Sequence, residues 1–405
     1  MVEIREVKSK ADLRAFVRFP HALYKGDPNY VPLLDMDEMG QFVPEKNPAY
    51  AFCETRCFLA YKDGRLVGRI AAILNKSYNE ITGRKYMRFS RPDFIDDPEV
   101  VAALIGAVEQ YAVEKGMNLV HGPMGFCDLD REGMLVEGFD LLSLYVTYYN
   151  YPYYPVRLAE LGYAKDADYV ELEIFTPKKA EDAERMFRIS GYVMKKLGLT
   201  LVPINKMNDI KPYIKGVFDL INEAYKHLYG YVQLTDAIRD NFVKQFFSLL
   251  RPEFLKIVTD PSGEVVAVAI SAPNISKACQ KAQGRLFPFG FLHLLHDLKH
   301  VDTIDLYLIA VKPDLQGKGV NAILLAEMVK SALKLGVTKA NATPELEYNT
   351  KVQDQWKNFD AHYVKRRRIF VKDLEDGKNG TESKKPEHEQ PKHKQMEEPA
   401  HDDHA

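Results

Sequence analysis

Four consecutive residues, Gln316, Gly317, Lys318 and Gly319, have the types and spacing to hold a phosphate group. The two glycines let the backbone approach a ligand closely. A helix starting at Val320 would turn its first free N–H groups toward phosphate oxygens. Lys318 adds a positive charge. The chemistry this pattern suits is a pyrophosphate cradle, although a short Gly-rich turn read by itself serves equally well as a structural turn. The lysine is not followed by Ser or Thr, so this is not a Walker loop, and the spacing is not that of a dinucleotide fingerprint.

The elements that must position this turn are legible around it. Ile304–Val311 reads as a strand, a Pro-ended loop follows, and an apolar helix runs from Val320 to a terminating Gly336. The same plan occurs earlier in the chain. CFLAYKDGRLVGRIAAIL (57–74) and FLKIVTDPSGEVVAVAIS (254–271) both read as a strand, a tight turn and a second strand. Each is followed by a helix ending in Gly, at Gly116 and Gly336, that feeds another strand. The interval from hairpin to helix end is longer in the second copy by about 21 residues, the apolar piece SKACQKAQGRLFPFGFLHLLHDLKHV (276–301). This internal repeat predicts an α/β chain with mixed sheets in two tandem halves, 1–176 and 177–374. The segment 375–405 is almost wholly polar and is expected to be a disordered tail. In the first half the helix opens on Asp96, Asp97 and Glu99, which suit a helix dipole and would repel phosphate. One cradle is therefore expected, in the second half.

The run VKPDLQGKGVNAILL resembles the acetyl-CoA signature of GNAT acyltransferases, matching at Gln316, Gly319 and the apolar positions and departing at Asn321. The resemblance implies a GNAT fold in each half and acyl-CoA or acetyl-CoA as cosubstrate. CoA would then lie along Ile309, Ala310, Val311, Gln316, Gly317, Lys318, Gly319 and Val320, with Asn349 at the start of the next helix. It also implies that the Ile309 N–H faces the thioester carbonyl as an oxyanion donor. Asp305 falls at the strand position of the glutamate base in one branch of the family, where a carboxylate could take a proton from an attacking amine; a solvent-facing strand residue is the other reading. Many members carry a tyrosine acid seven residues after the asparagine. Trp356 stands there in this chain, and indole is no useful acid. Tyr348, Tyr363 or solvent would have to serve instead. KRRRIF (365–370) reads as a closing strand whose basic run could face phosphates or, as the favoured reading, lie at a solvated edge.

Composition limits the alternatives. The chain has 405 residues, 55 Lys+Arg against 57 Asp+Glu, and 46% apolar residues, so a dedicated nucleic-acid binder is disfavoured. No apolar run approaches the roughly 18 residues of a membrane span, and MVEIREVKSK is charged where a signal peptide would be apolar. The chain reads as cytoplasmic, with peripheral contact at the inner membrane left open. Cys53, Cys57, Cys127 and Cys279 read as simple thiols and no metal site is expected. Oligomeric state is not legible.

Two segments bear on the acceptor. The insertion crowds Phe287, Phe289 and Phe291 among leucines, flanked by Lys277, Lys281, Arg285 and Lys299, and suits an interfacial helix, the lid of an apolar pocket, or a helix packed into the core. After the first-half strand come Asp128, Asp130, Arg131 and Glu132, then a tyrosine-rich stretch including Tyr149. A carboxylate there could hold an acceptor ammonium, and the tyrosines could line a channel or simply pack. Across about 1–374, the words FPHALYKGDPNYVPLL, DGRLVGRIAAILN, FIDDPEV, LFPFGFLHLL and RRRIF resemble the bacterial ceramide synthase family. That resemblance implies transfer of a fatty acyl group from acyl-CoA to the amine of a sphingoid base, with Asp128, Asp130, Tyr149, Phe289 and Phe291 as acceptor-side candidates. The alternatives are an acetyltransferase for a small-molecule or protein amine, and a CoA-binding scaffold without turnover.

Overall fold

The computed structural model describes residues 1–375; the expected tail lies outside the described residues apart from Glu375. In the first half the elements are β1 (Val2–Glu6), α1 (Lys10–Leu23), α2 (Asp35–Gln41), β2 (Cys53–Lys62), β3 (Arg65–Asn75), α3 (Lys76–Thr82), β4 (Tyr86–Phe94), α4 (Pro98–Glu114), β5 (Leu119–Gly122), β6 (Met134–Glu137), α5 (Tyr153–Glu160) and β7 (Ala164–Phe175). In the second they are α6 (Glu184–Leu197), β8 (Thr200–Leu201), α7 (Ile214–Tyr225), α8 (Asp236–Phe246), β9 (Leu255–Thr259), β10 (Val265–Pro273), α9 (Ser276–Ala282), α10 (Gly290–Lys299), β11 (Thr303–Val311), α11 (Val320–Leu335), β12 (Lys339–Leu346), α12 (Thr350–Gln353) and β13 (Asp360–Asp373). Local chemistry sets several of these boundaries. Asp63 and Gly64 both take positive φ (52° and 76°), the geometry a two-residue hairpin needs to match strand twist. Asp97 caps α4 by accepting from the Glu99 N–H, with Pro98 at the first helical position. Gly336, at φ 72°, ends α11.

The thirteen strands of the described residues join one sheet, in the order β1-β2-β3-β4-β5-β13-β7-β12-β11-β10-β9-β8, with β6 pairing β13 beside that path. The order is a palindrome of the internal repeat with its two last strands exchanged. β13, the end of the second series, lies against β5 of the first, and β7 lies against β12. The two GNAT-like halves therefore share one continuous sheet rather than holding two. In each half a parallel pair, β4–β5 or β11–β12, is spanned by an apolar helix, α4 or α11.

The exchange corrects the reading of KRRRIF as a solvated edge. β13 is central, and Arg367 is fully buried. Its guanidinium donates to Glu171 of β7, while Arg368 Nε donates to Asp168 Oδ1 at 2.8 Å. A buried charge survives only when paired, and β7 supplies the acids along its length. The basic run matches the acidic neighbouring strand: Lys365 and Arg367 are buried, and the half-buried Arg366 and Arg368 are paired with Asp168.

On the second-half sheet the helices divide by face. α7 covers the Ile257, Val268 and Ala310 side, and α11 covers the Val258, Val266 and Ala267 side. Among the described residues no helix is long and apolar enough to cross a membrane, and all four cysteines are buried and unbonded.

Candidate active site

β11 and β12 pair in register only from Thr303↔Lys339 to Leu306↔Ala342, and then part. At the root of the parting, Asp305 Oδ1 accepts from Asn341 Nδ2 of β12 and from Asn274 Nδ2 beyond the end of β10, each at 2.8 Å. Beyond Leu306, β11 is held in the sheet by β10. The Lys312 N–H donates to Val266 O at 2.9 Å, which sets the ladder's phase. Ile309 and Val311 then fall at non-hydrogen-bonded pairs, with N–H and C=O turned away from β10 and across the gap. Two side chains report this orientation: Tyr225 Oη donates to Ile309 O (2.9 Å) and Gln316 Nε2 to Val311 O (3.1 Å).

The gap leads to the glycine turn. Gly317 and Gly319 have φ of 73° and 82°, and Gly319 is the N-cap of α11. The space where a Gly317 side chain would project holds no atom within 4 Å, and Lys318 is exposed beside it. In the first turn of α11 the Ala322 N–H donates to Gly319 O at 3.0 Å, and the Val320 and Asn321 amides before it have no carbonyl one turn earlier to bind. These features fit a phosphate-bearing ligand whose arm lies along β11. The first half has no such opening. There the β4–β5 pair ends at Arg88↔His121, and the space beyond is filled by the following loop, with the Met124 N–H donating to Phe89 O (3.0 Å) and Arg88 Nη1 to Gly125 O (2.9 Å). Asp97 and Glu99 at the start of α4 are paired with Lys62, at 2.6 and 2.8 Å.

A cavity of about 390 Å³ passes through the gap from the α7–α8 face to the α11–α12 face. Its walls are mostly apolar, and four carboxylates stand in them: Asp128, Asp130, Glu132 and Glu345. Burial pushes Glu132 up to about 8 and Asp128 up to about 6, the latter against a weak opposing donation from the Val232 N–H. Glu345, on β12, is pushed by burial up to about 7 although Trp356 Nε1 donates to its Oε1 at 2.9 Å. Its Oε2 is buried with no hydrogen-bond partner. Acids poised near neutrality in an apolar cleft beside a backbone N–H suit proton transfer during acyl transfer.

The residues singled out from the sequence fall in different places. Ile309, Asn349, Asp128 and Asp130 line the cavity, as does Glu132. Asp130 is already engaged, its Oδ2 accepting from the Phe126 N–H at 2.7 Å. Ala310 and Val311 continue the strand, and Gln316 to Val320 form the turn. Asp305 is fully buried outside the cavity wall, where burial pushes it up to about 6. Tyr348 is half-exposed outside the wall. Tyr149 packs with Tyr24 and Tyr151 and donates to Asp27 at 3.0 Å, so that tyrosine stretch builds the first-half core. Phe289 and Phe291 are on the surface. Glu345, Tyr225 and the apolar walls from α7 and α8 were not singled out. Residues 214, 217, 218, 221 and 225 have helical apolar spacing, but periodicity does not separate a face that lines a cavity from one that packs.

The chain is 27% identical over 383 residues to Protein YghO of Escherichia coli, covering 92% of this chain and 95% of that protein. It is 27% identical over 378 residues to a protein of Caulobacter vibrioides named as a bacterial ceramide synthase, covering 91% and 96%. No family profile matches. Among solved structures, a tandem GNAT protein from the clavulanic acid biosynthesis pathway superposes with a TM-score of 0.55 at 11% identity, covering 92% of this chain and 99% of that one. The chain thus has the tandem GNAT fold, and over nearly its whole length its sequence resembles the Caulobacter protein.

Proposed function

We propose that the chain is an acyl-CoA-dependent N-acyltransferase that places a fatty acyl group on the amine of a long-chain base, the ceramide-forming reaction for which its Caulobacter relative is named. The observation that carries this reading is the apolar cavity crossing the β11–β12 gap, with three near-neutral acids beside the turned-out backbone of Ile309. CoA phosphates meet the amides of the glycine turn and Lys318, and the thioester lies along Ile309 to Val311. The acceptor ammonium sits against Asp128 and Glu132, and Glu132 takes its proton. The freed amine attacks the thioester carbon, the C–N bond forms, and the Ile309 N–H faces the resulting oxyanion. As the C–S bond breaks, Glu345 protonates the thiolate and is restored by the second proton the nitrogen sheds. One proton therefore leaves on Glu132 and one on the thiol. Glu345, held by Trp356, fills the acid's role for which Tyr348 was a candidate. The purified chain is expected to form an amide from palmitoyl-CoA and a long-chain base, followed by mass spectrometry, with short soluble amines at least tenfold poorer. Equal turnover of short amines would remove the lipid acceptor from this reading.

Asp305 in this account positions the strands. Asp305→Asn keeps an oxygen for both amide donors and removes a buried carboxylate that burial pushes up to about 6, so the variant is expected to melt as high as wild type or slightly higher above that pH. Thermal melting should show this, with kcat per folded molecule falling far less than a hundredfold. A hundredfold loss at unchanged melting temperature would return the base's role to Asp305.

The same reading brings the chain to a membrane through its insertion. Phe287 and Phe289 are 71% and 70% exposed, Leu292 and Leu295 about half, and Lys277, Lys281, Arg285 and Lys299, which flank them in the sequence, are exposed as well. Exposed apolar side chains in a segment with exposed basic ones suit an anionic bilayer surface. The double change Phe287→Ser with Phe289→Ser is expected to reduce co-flotation with phosphatidylglycerol vesicles at least fivefold. Wild-type protein that fails to float would remove the membrane.

A further inference from the structure

We infer that the arm of the cavity beneath α7 and α8 is an acyl-chain site that accepts about a dozen carbons. This rests on the acyltransferase reading and assigns within it a place and a length to the chain of the donor. The arm starts at the reacting position, where Tyr225 Oη meets Ile309 O. From there one stripe of α7 runs outward through Ile221, Phe218 and Ile214, all on the cavity wall. Tyr225 and Ile214 are eleven positions apart, so the stripe is about 16 Å long at ~1.5 Å per residue. Extended carbon chains advance ~1.3 Å for each tetrahedral bond of ~1.5 Å, which converts that length to about twelve carbons.

The opposite wall is equally apolar. Leu255 and Ile257 of β9 and Val268 and Ile270 of β10 face the arm from the sheet. Phe242 and Phe246 of α8, stacked with ring centroids 5.8 Å apart, close its side. None of these groups offers a hydrogen bond, so the arm suits neither the phosphates of CoA nor an ammonium. A void lined only by such side chains destabilises a fold. Phe218 and Phe242 stay only partly buried against the neighbouring core, as walls do when the space beside them is reserved for something else. The carboxylates that would hold the amine, Asp128 and Glu132, are on the 128–132 loop, with Asp128 near Tyr225 at the start of the arm and not along it. The chain attached to the thioester carbon is therefore the one that enters this arm.

The test uses S-alkyl-CoA thioethers from two to sixteen carbons, which bind without reacting, titrated calorimetrically into the full-length protein. Kd is expected to fall about fourfold per added methylene and to level off near twelve carbons. Ile214→Trp, which fills the far end, is expected to move the plateau to fewer carbons, and Phe246→Ala to move it to more. Circular dichroism melts accompany both variants, and either shift alone supports the assignment. Kd independent of chain length, with S-ethyl-CoA still binding, overturns the acyl site and leaves the transferase reading intact. Failure of every thioether to bind overturns the transferase reading itself. If Ile214→Trp instead alters discrimination among amine chain lengths in turnover, with the thioether series unmoved, the arm belongs to the acceptor and the assignment is wrong.

Discussion

Glu345→Gln is expected to lower kcat by about 10²–10⁴-fold while raising the melting temperature above pH 7. Glutamine keeps an oxygen for the Trp356 indole N–H, so the geometry at Oε1 survives and the acidic proton is lost. The rise in stability follows from linkage. A carboxylate ordinarily titrates near 4.3 for Glu, whereas burial pushes Glu345 up to about 7 and Glu132 up to about 8. Between the unfolded and folded values the folded chain binds more protons, so the stability these two groups contribute is fully present below about pH 4 and is lost as pH rises through each folded value. The glutamine variant escapes that loss. Melting curves of wild type and variant should nearly coincide at pH 4.5 and separate at pH 8, with the variant higher. Glu132→Gln should behave alike, with the divergence extending to pH above 8. A Glu345→Gln protein that turns over normally, or that melts lower at pH 8, would refute the role given to this acid.

The second large effect concerns the backbone. Ile309→Pro is expected to lower kcat by about 10²–10³-fold, because proline deletes the N–H that faces the oxyanion. A central strand ordinarily tolerates proline poorly, through the loss of a ladder bond. At Ile309 that bond is not made, since the N–H points across the gap and the neighbours Leu308 and Ala310 carry the pairing with β10. Thermal melting should therefore show a folded protein, and binding of S-ethyl-CoA should weaken much less than kcat falls. Ile309→Ala, which keeps the N–H, should retain most of the turnover. Unchanged kcat in a folded Ile309→Pro protein would show that the oxyanion donor lies elsewhere.

The sequence and the folded chain agree most closely where chemistry is local. The Asp63–Gly64 turn, the glycines that end α4 and begin and end α11, and the strand into the Gln316–Gly319 turn follow from backbone preferences written in the residues themselves. What was not legible depends on partners far away in the chain. KRRRIF reads as a surface until β7 is known to lie beside it, because only a neighbour carrying Asp168 and Glu171 makes a buried basic strand tolerable. Glu345 reads as one acid among 57 until the two strands part around it and Trp356 packs on it. The tyrosines around Tyr149 and the apolar face of α7 each have residues suited either to packing or to lining a cavity, yet one packs solid and the other borders a void. That difference is set by what the tertiary fold brings opposite each, not by the segments themselves.

The central claim is acyl transfer at the β11–β12 gap, and single-turnover release of CoA from palmitoyl-CoA, with and without a long-chain base, tests it most directly. The account predicts stoichiometric thiol release matched by amide product for the wild type only when amine is present, and almost none for Glu345→Gln at pH 7.5. Palmitoyl-CoA that binds and stays intact whatever amine is supplied would contradict it, and would leave the gap as a binding site without chemistry.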